Sequence, residues 1–126
     1  MISVTVYDLL NAKSVLNSLR TKTLPAKGAL ALARIIREVS KELETYDSVR
    51  YEIIDKYAEK DEHGKMLIEN GNAKIKENCI TDCQNELNES CLEKVELNIT
   101  PIEEEWLEKI NLVVEEAIML EPFLKK

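Results

Sequence analysis

Few side chains in this sequence belong to the types that carry chemistry. Three cysteines, Cys79, Cys83 and Cys91, lie close together, and the single histidine, His63, falls in a predicted turn. Thiols at positions 79 and 83 would share one face of a helix and provide half of a zinc site, but Cys91 follows more than two turns later. Ligand number and spacing therefore favour thiols that pack in a core, and we predict no metal site.

Catalysis has no better basis in the residue pattern. The chain contains no Gly-rich phosphate loop, no paired carboxylates in a recognisable frame, and no Ser or Cys with a neighbouring base. These are the groups from which an active site is assembled. We therefore predict a protein that is not an enzyme and needs no cofactor.

A row of basic side chains is a better candidate for binding. Arg34, Arg37 and Lys41 have the spacing of one helix face, and Lys27 precedes them on the same predicted helix. These predicted anion-binding residues suit phosphate groups or an acidic partner. The alternative is a solvated helix face whose charges pair with nearby glutamates.

The charges of the chain are unevenly distributed. Residues 1–50 hold eight Lys and Arg against five Asp and Glu, and residues 51–126 hold nine against nineteen. The glutamates from Glu103 to Glu121 would imitate a nucleic-acid backbone or simply form a solubilising surface. A net charge of −7 argues against direct binding to nucleic acid or to an anionic membrane.

One long amphipathic helix, about residues 26–57, must organise these side chains. Its apolar residues recur at steps of three and four, with Arg50 in one apolar slot. These residues are Ala29, Leu32, Ile36, Val39, Leu43, Tyr46, Ile53 and Tyr57. Such a helix is roughly 48 Å long, whereas a compact chain of this size is roughly 35 Å across. Either it kinks, or its far end, with Tyr46, Arg50, Ile53 and Tyr57, forms the interface of a homodimer or higher homo-oligomer.

Shorter elements complete a mainly helical α+β fold, predicted as a single domain over residues 1–126. A helix over 9–20, capped by Asp8, should pack closely on the small residues Gly28, Ala29, Ala31 and Ala33. Asn70-Gly71 predicts a β-hairpin turn. Further predicted elements are a helix over 77–92 that buries Ile80, Cys83, Leu87 and Cys91, a strand over 95–99 and a closing helix over 112–120 stopped by Pro122.

The N-terminal residues have neither the basic region nor the apolar region of a signal peptide. No uncharged apolar run approaches the roughly 18 residues that a membrane-spanning helix needs. We therefore predict a cytoplasmic protein.

Several short phrases, taken in order, resemble a family of small proteins carried by phages and prophages of low-GC Gram-positive bacteria. The resemblance covers most of the chain from Leu24 onward, but the family's Thr-Pro before the last helix is replaced by Leu112-Val113-Val114. The matching phrases are Leu24-Pro25-Ala26-Lys27, Ile54-Asp55-Lys56-Tyr57, residues 59–64, Asn85-Glu86-Leu87, residues 95–99, Pro101-Ile102 and residues 120–124. It implies a phage accessory protein in the host cytoplasm and transfers no catalytic residue.

Together these features favour a protein that acts by binding. It would occupy a host protein or sequester a small anionic ligand, as an inhibitor of host defence would. The first role would use the glutamate-rich tail, and a nucleotide trap would place the basic row beside an aromatic side chain such as Tyr7 or Tyr46. The alternative is a structural accessory of virion assembly.

Overall fold

The computed structural model describes residues 1–125, which contain four α-helices and four short β-strands. The fold is α+β and mainly helical, as predicted. The strands are β1 (Ile2–Thr5), β2 (Ile68–Glu69), β3 (Asn72–Ala73) and β4 (Lys94–Leu97). The helices are α1 (Val6–Leu19), α2 (Ala26–Tyr57), α3 (Ile80–Cys91) and α4 (Val114–Leu120). None of the described helices combines the length and the apolar character needed to cross a membrane.

The chain divides into two compact units. Unit 1 consists of Met1–Leu43 and Lys94–Lys126, and unit 2 consists of Glu44–Glu93. The uninterrupted helix α2 contributes its first 18 residues to unit 1 and the rest to unit 2. The prediction that the whole chain forms a single domain stays a prediction.

Unit 1 begins with a strand that the sequence analysis did not predict. β1 pairs antiparallel with β4, with Val4 opposite Val95 and Ile2 opposite Leu97. Thr5 then caps α1, because its hydroxyl accepts a hydrogen bond from the Asp8 N–H at 3.1 Å and its N–H donates to the Asp8 carboxylate at 3.0 Å. Asp8 is therefore the third residue of α1 rather than its cap, and the helix begins three residues earlier than predicted.

The core of unit 1 combines residues from both ends of the sequence. The predicted apolar face of α1 is confirmed, since Leu9, Ala12, Leu16 and Leu19 are all buried. The C-terminal segment adds Ile102, Trp106, Leu120 and Phe123, and β4 and its extension add Leu97 and Ile99. Backbone hydrogen bonds tie the two ends of this segment together, from the Ile102 N–H to the Phe123 carbonyl at 2.7 Å and from the Lys125 N–H to the Ile102 carbonyl at 2.8 Å.

The buried face of α2 in unit 1 is rotated from the predicted one. Gly28, Ala31, Leu32, Ile35, Val39 and Leu43 are buried, whereas Ala29 is exposed and Ile36 is half-buried. At the start of this face Gly28 packs against Trp106, whose Cγ would lie only 2.9 Å from a Cβ at Gly28. Of the four small residues predicted to admit α1, Ala31 is buried, but the prediction is wrong for Gly28, which admits the indole, and for Ala29 and Ala33, which are exposed.

In unit 2, the predicted hairpin turn is confirmed. Asn70 and Gly71 join β2 to β3 with φ angles of 54° and 81°, the positive values that a type I′ turn requires. The segment after α2 provides the neighbour that a lone hairpin needs, since the Glu59 N–H donates to the Lys74 carbonyl at 2.7 Å and the Glu59 carbonyl accepts from the Leu67 N–H at 2.8 Å.

The remaining elements follow the sequence with local differences. The predicted helix over 77–92 is a short 3₁₀ turn at Glu77–Cys79 followed by α3, and Ile80 is exposed at its start rather than buried. The closing helix α4 begins at Val114, where the Val113 N–H donates to the Glu116 carboxylate at 3.1 Å. Pro122 ends α4 within a 3₁₀ turn, Glu121–Phe123.

The contact between Gly28 and Trp106 predicts an unusual sign for a helix substitution. Gly28→Ala should gain about 1 kcal/mol of helix propensity but incur an overpacking cost of about 1–3 kcal/mol, because the indole must shift. We expect a net loss of about 1 kcal/mol in the free energy of unfolding, measured by urea denaturation. The exposed neighbour supplies the control, because Ala29→Gly measures helix propensity without the indole. In this reverse exchange the glycine should be the less stable residue, by about 1 kcal/mol. A stabilised Gly28→Ala variant would show that the indole does not constrain this position.

Candidate functional site

The predicted basic row lies on the exposed side of α2. Lys27, Arg34, Arg37 and Lys41 are all exposed, and Lys41 pairs with Glu38 at 3.5 Å. Arg34 and Arg37 form no ion pair within 4 Å in residues 1–125. The predicted aromatic partner Tyr46 contacts Cys91, and Tyr7 is an exposed residue of α1.

Two of the four predicted oligomer-interface residues contact α3 of the same chain. The Tyr46 hydroxyl lies 3.4 Å from the Cys91 thiol, and the Tyr57 hydroxyl donates to the Glu86 carboxylate, which also pairs with Lys56 at 2.8 Å. In unit 2, α3 therefore covers part of the helix surface that the sequence analysis assigned to a second subunit. The helix neither needs a kink nor leaves Tyr46 and Tyr57 without neighbours.

The other two predicted interface residues lie beside these contacts. Ile53 is half-buried, and Arg50 is exposed. Burial raises the pKa values of Tyr46 and Cys83, and the positive charge of Arg50 opposes this rise in both groups. An oligomer interface at these four residues stays a prediction.

The cysteines and the histidine do not converge. Cys83 is buried, Cys79 and Cys91 are half-buried, and His63 lies in an exposed turn where its ring is 3.5 Å from the Glu62 carboxylate. Within residues 1–125, no group of three His, Cys, Asp or Glu side chains is arranged to hold a metal ion.

The contact of Glu86 with Lys56 and Tyr57 predicts a pH dependence. Hydrogen bonds from Lys56 and then Tyr57 lower the pKa of Glu86 below its ordinary 4.5, so the carboxylate stabilises the fold above that value and stops doing so as the pH falls through the folded-state pKa. Glu86→Gln should lower the urea midpoint at about pH 7, and the difference should shrink toward about pH 3.

The exposed Glu89 on the same helix provides the control, because Glu89→Gln should leave the midpoint nearly unchanged at both pH values. An equal loss at both pH values for Glu86→Gln would contradict a role for the ionised carboxylate.

Unit 1 carries a feature that sequence reasoning missed, an apolar groove of about 250 Å³ near the C-terminus. We call it the C-terminal groove, and its lining residues are Glu104, Leu107, Glu108, Leu112, Ala117, Leu120 and Leu124. Apolar side chains form most of it, and two carboxylates stand at its edge. Helix α4, which contributes Ala117 and Leu120 to the groove, also carries Val114 and Ile118, which are 78% and 61% exposed. Val113, which directly precedes this helix, is 63% exposed.

A second cleft of about 440 Å³ shares the lining residue Glu108 with the C-terminal groove. The loop Thr23–Pro25 and the segment containing Glu105, Trp106, Glu108 and Lys109 line it. Carboxylates are close together in this region, and the interaction of Glu103 with Glu105 raises the pKa of Glu105 and lowers that of Glu103. Lys125 is 3.5 Å from Glu103. We call Glu103, Glu104, Glu105 and Glu108 the acidic rim.

Unit 2 has a wider and more open cleft of about 630 Å³ beside the hairpin. Two of its charged residues are already paired within the unit, Glu59 with Lys74 at 3.3 Å and Lys60 with Asp55 at 3.0 Å. The C-terminal groove is therefore the stronger candidate for a binding site. It combines apolar lining residues with two carboxylates, Glu104 and Glu108, that form no ion pair within residues 1–125.

The sequence contained a signal for this groove. Leu112, Val113, Val114 and Ile118 place four large apolar residues within seven positions, more than a seven-residue helix with one buried face requires. The glutamates of the tail predict a charged surface when they are considered alone, and only their combination with these apolar residues indicates a groove. No protein-family model, curated protein or solved structure matches this chain.

Proposed function

We propose that this chain is a non-enzymatic binding protein whose C-terminal groove receives a segment of a partner protein. The observation that supports this is the combination of the groove with Val113, Val114 and Ile118, all more than 60% exposed. Burying such residues against a partner removes apolar surface from water, which is the main driving force of protein association.

The acidic rim specifies the chemistry of that partner segment. Glu104 and Glu108 line the groove itself, and the neighbouring carboxylates Glu103 and Glu108 contribute to a raised pKa of Glu105. A segment with an apolar side chain flanked by Lys or Arg would satisfy both the apolar surface and the carboxylates. The same charge disfavours nucleic acid and anionic membranes.

The setting that we propose is that of a phage accessory protein in the host cytoplasm, and it rests on the sequence resemblance. In that setting, a groove for a basic segment suits an inhibitor of host defence that occupies a host protein. A structural accessory of virion assembly would use the same groove on a phage protein, so the identity of the partner separates the two roles.

Capture of a small anionic ligand has less support in the structure. Arg34 and Arg37 are exposed on one helix face, and among the described residues neither has a cation–π contact with an aromatic ring that would help to hold a base. A thermal-shift screen with nucleotides tests this role, because a trapped ligand at a hundredfold excess over Kd stabilises the fold by about 2.7 kcal/mol.

The groove predicts a selective loss of partner binding. The double variant Val114→Ser with Ile118→Ser removes exposed apolar surface and should leave the fold intact. A partner captured by cross-linking from lysate of a low-GC Gram-positive bacterium, and then purified, should bind this variant at least about tenfold more weakly in calorimetry, since interface anchors each contribute about 1 kcal/mol or more.

Two equally exposed apolar residues of unit 2 supply the matched control. Ile68 and Leu92 are 63% and 70% exposed, and Ile68→Ser with Leu92→Ser should leave the affinity unchanged. Equal affinities for the variant with Val114→Ser and Ile118→Ser, which changes exposed residues of the helix that borders the groove, and for the wild type would contradict the proposal. Stabilisation by a nucleotide that is lost with Arg34→Glu and Arg37→Glu would instead support an anion trap.

A further inference from the structure

Unit 1 carries two segments of opposite charge. Between residues 20 and 41, six lysines and arginines accompany one glutamate, and between residues 103 and 121, seven glutamates accompany one lysine. Both segments belong to the same compact unit. Every copy of the chain therefore presents a basic and an acidic surface, each of which complements the other.

The basic surface also has an apolar centre. Leu30, Arg34 and Arg37 follow the spacing i, i+4 and i+7, so they form one stripe along α2, and we call them the basic stripe. Leu30 is 60% exposed. At 3.6 residues per turn the stripe lies roughly opposite Gly28. It therefore points away from Trp106 and the core of unit 1.

The chemistry of this stripe matches that of the C-terminal groove. The groove offers the half-buried Leu107, Leu112 and Leu124 as apolar surface, and Glu104 and Glu108 also line it. Leu30 on the stripe is followed by one guanidinium one turn later and by another two turns later, so an exposed apolar side chain lies beside two cations. Arg34 and Arg37 have no ion pair within 4 Å among residues 1–125, so both are available to carboxylates outside their own chain.

We propose that a second copy of this chain docks into the C-terminal groove through its basic stripe. Leu30 of one copy enters the groove of the other, and Arg34 and Arg37 pair with Glu104 and Glu108. This inference rests on the proposed function, because it assumes that the groove binds protein, and it names an occupant for it. The contact joins two different surfaces and is therefore heterologous, so association extends beyond two copies unless a ring closes.

A charge-swap experiment tests this pairing. The stripe variant is Arg34→Glu with Arg37→Glu, and the groove-edge variant is Glu104→Lys with Glu108→Lys. By sedimentation velocity between about 1 and 100 µM, the wild type should associate with rising concentration, and each variant alone should associate at least about tenfold more weakly. An equimolar mixture of the two variants should recover association, because opposite charges then meet again.

Control variants carry the same charge changes elsewhere. Lys13→Glu with Lys65→Glu matches the stripe variant, Glu62→Lys with Glu89→Lys matches the groove-edge variant, and all four residues are exposed. Both controls should associate like the wild type. Association should also weaken between about 50 and 500 mM salt, because surface charges are screened over that range. Circular dichroism melts establish that each variant is folded.

A wild type that stays monomeric over the whole concentration range would overturn the inference. So would variants that associate like the wild type, or a mixture that fails to recover association. The proposed function has a separate outcome, since the stripe variant keeps an intact groove. If it loses self-association and still binds the captured partner, both proposals hold. If the wild type is monomeric and binds that partner, only the self-docking inference fails.

Discussion

The packing of Trp106 on Gly28 is the contact on which the rest of unit 1 depends. The indole is 94% removed from solvent and occupies the place where any other residue at position 28 would put its Cβ. This contact sets which face of α2 is buried. It also holds the segment around Trp106 against the helix, and Glu104, Glu105 and Glu108 of that segment line the two clefts. Because the opposite face of α2 then faces solvent, the same contact leaves Arg34 and Arg37 exposed. One close approach of a ring to a backbone thus arranges both charged surfaces.

In the binding mode that we propose, the two charged surfaces give an acidic chain with few aromatic residues its specificity. Charge alone gives weak and readily screened interactions at a solvated surface. Apolar side chains at the centre of the charge, Leu30 on one surface and the leucines of the groove on the other, supply the free energy of burial that charge lacks. The carboxylates around the groove then select which apolar segment enters it. These features are the basis of our proposal that the chain binds a segment of a partner protein.

How far the sequence predicts this structure depends on how local the determining contacts are. The bounds of α2 and the turn at Asn70-Gly71 follow from periodicity and backbone preference, and both are confirmed. The buried face of α2 does not follow, because it includes Gly28, which packs against Trp106, 78 positions further along the chain. Likewise, Tyr46 and Tyr57 suit a second subunit as well as they suit α3, and only the tertiary structure shows that α3 contacts them. The C-terminal groove joins residues 104–124 across a 3₁₀ turn and a short helix, so no single period reveals it.

The most direct measurement of the central claim is a chemical-shift titration of the ¹⁵N-labelled chain with a helical peptide. The peptide presents Leu, Arg, Arg and Lys at the spacing of Leu30, Arg34, Arg37 and Lys41, with every residue of the buried face replaced by Ala or Gln. A second peptide with glutamates in place of the arginines serves as control. The account predicts saturable shifts confined to the amides of residues 104–124 with the first peptide and none with the second. Shifts centred on unit 2, equal shifts with both peptides, or no shifts at all would contradict it.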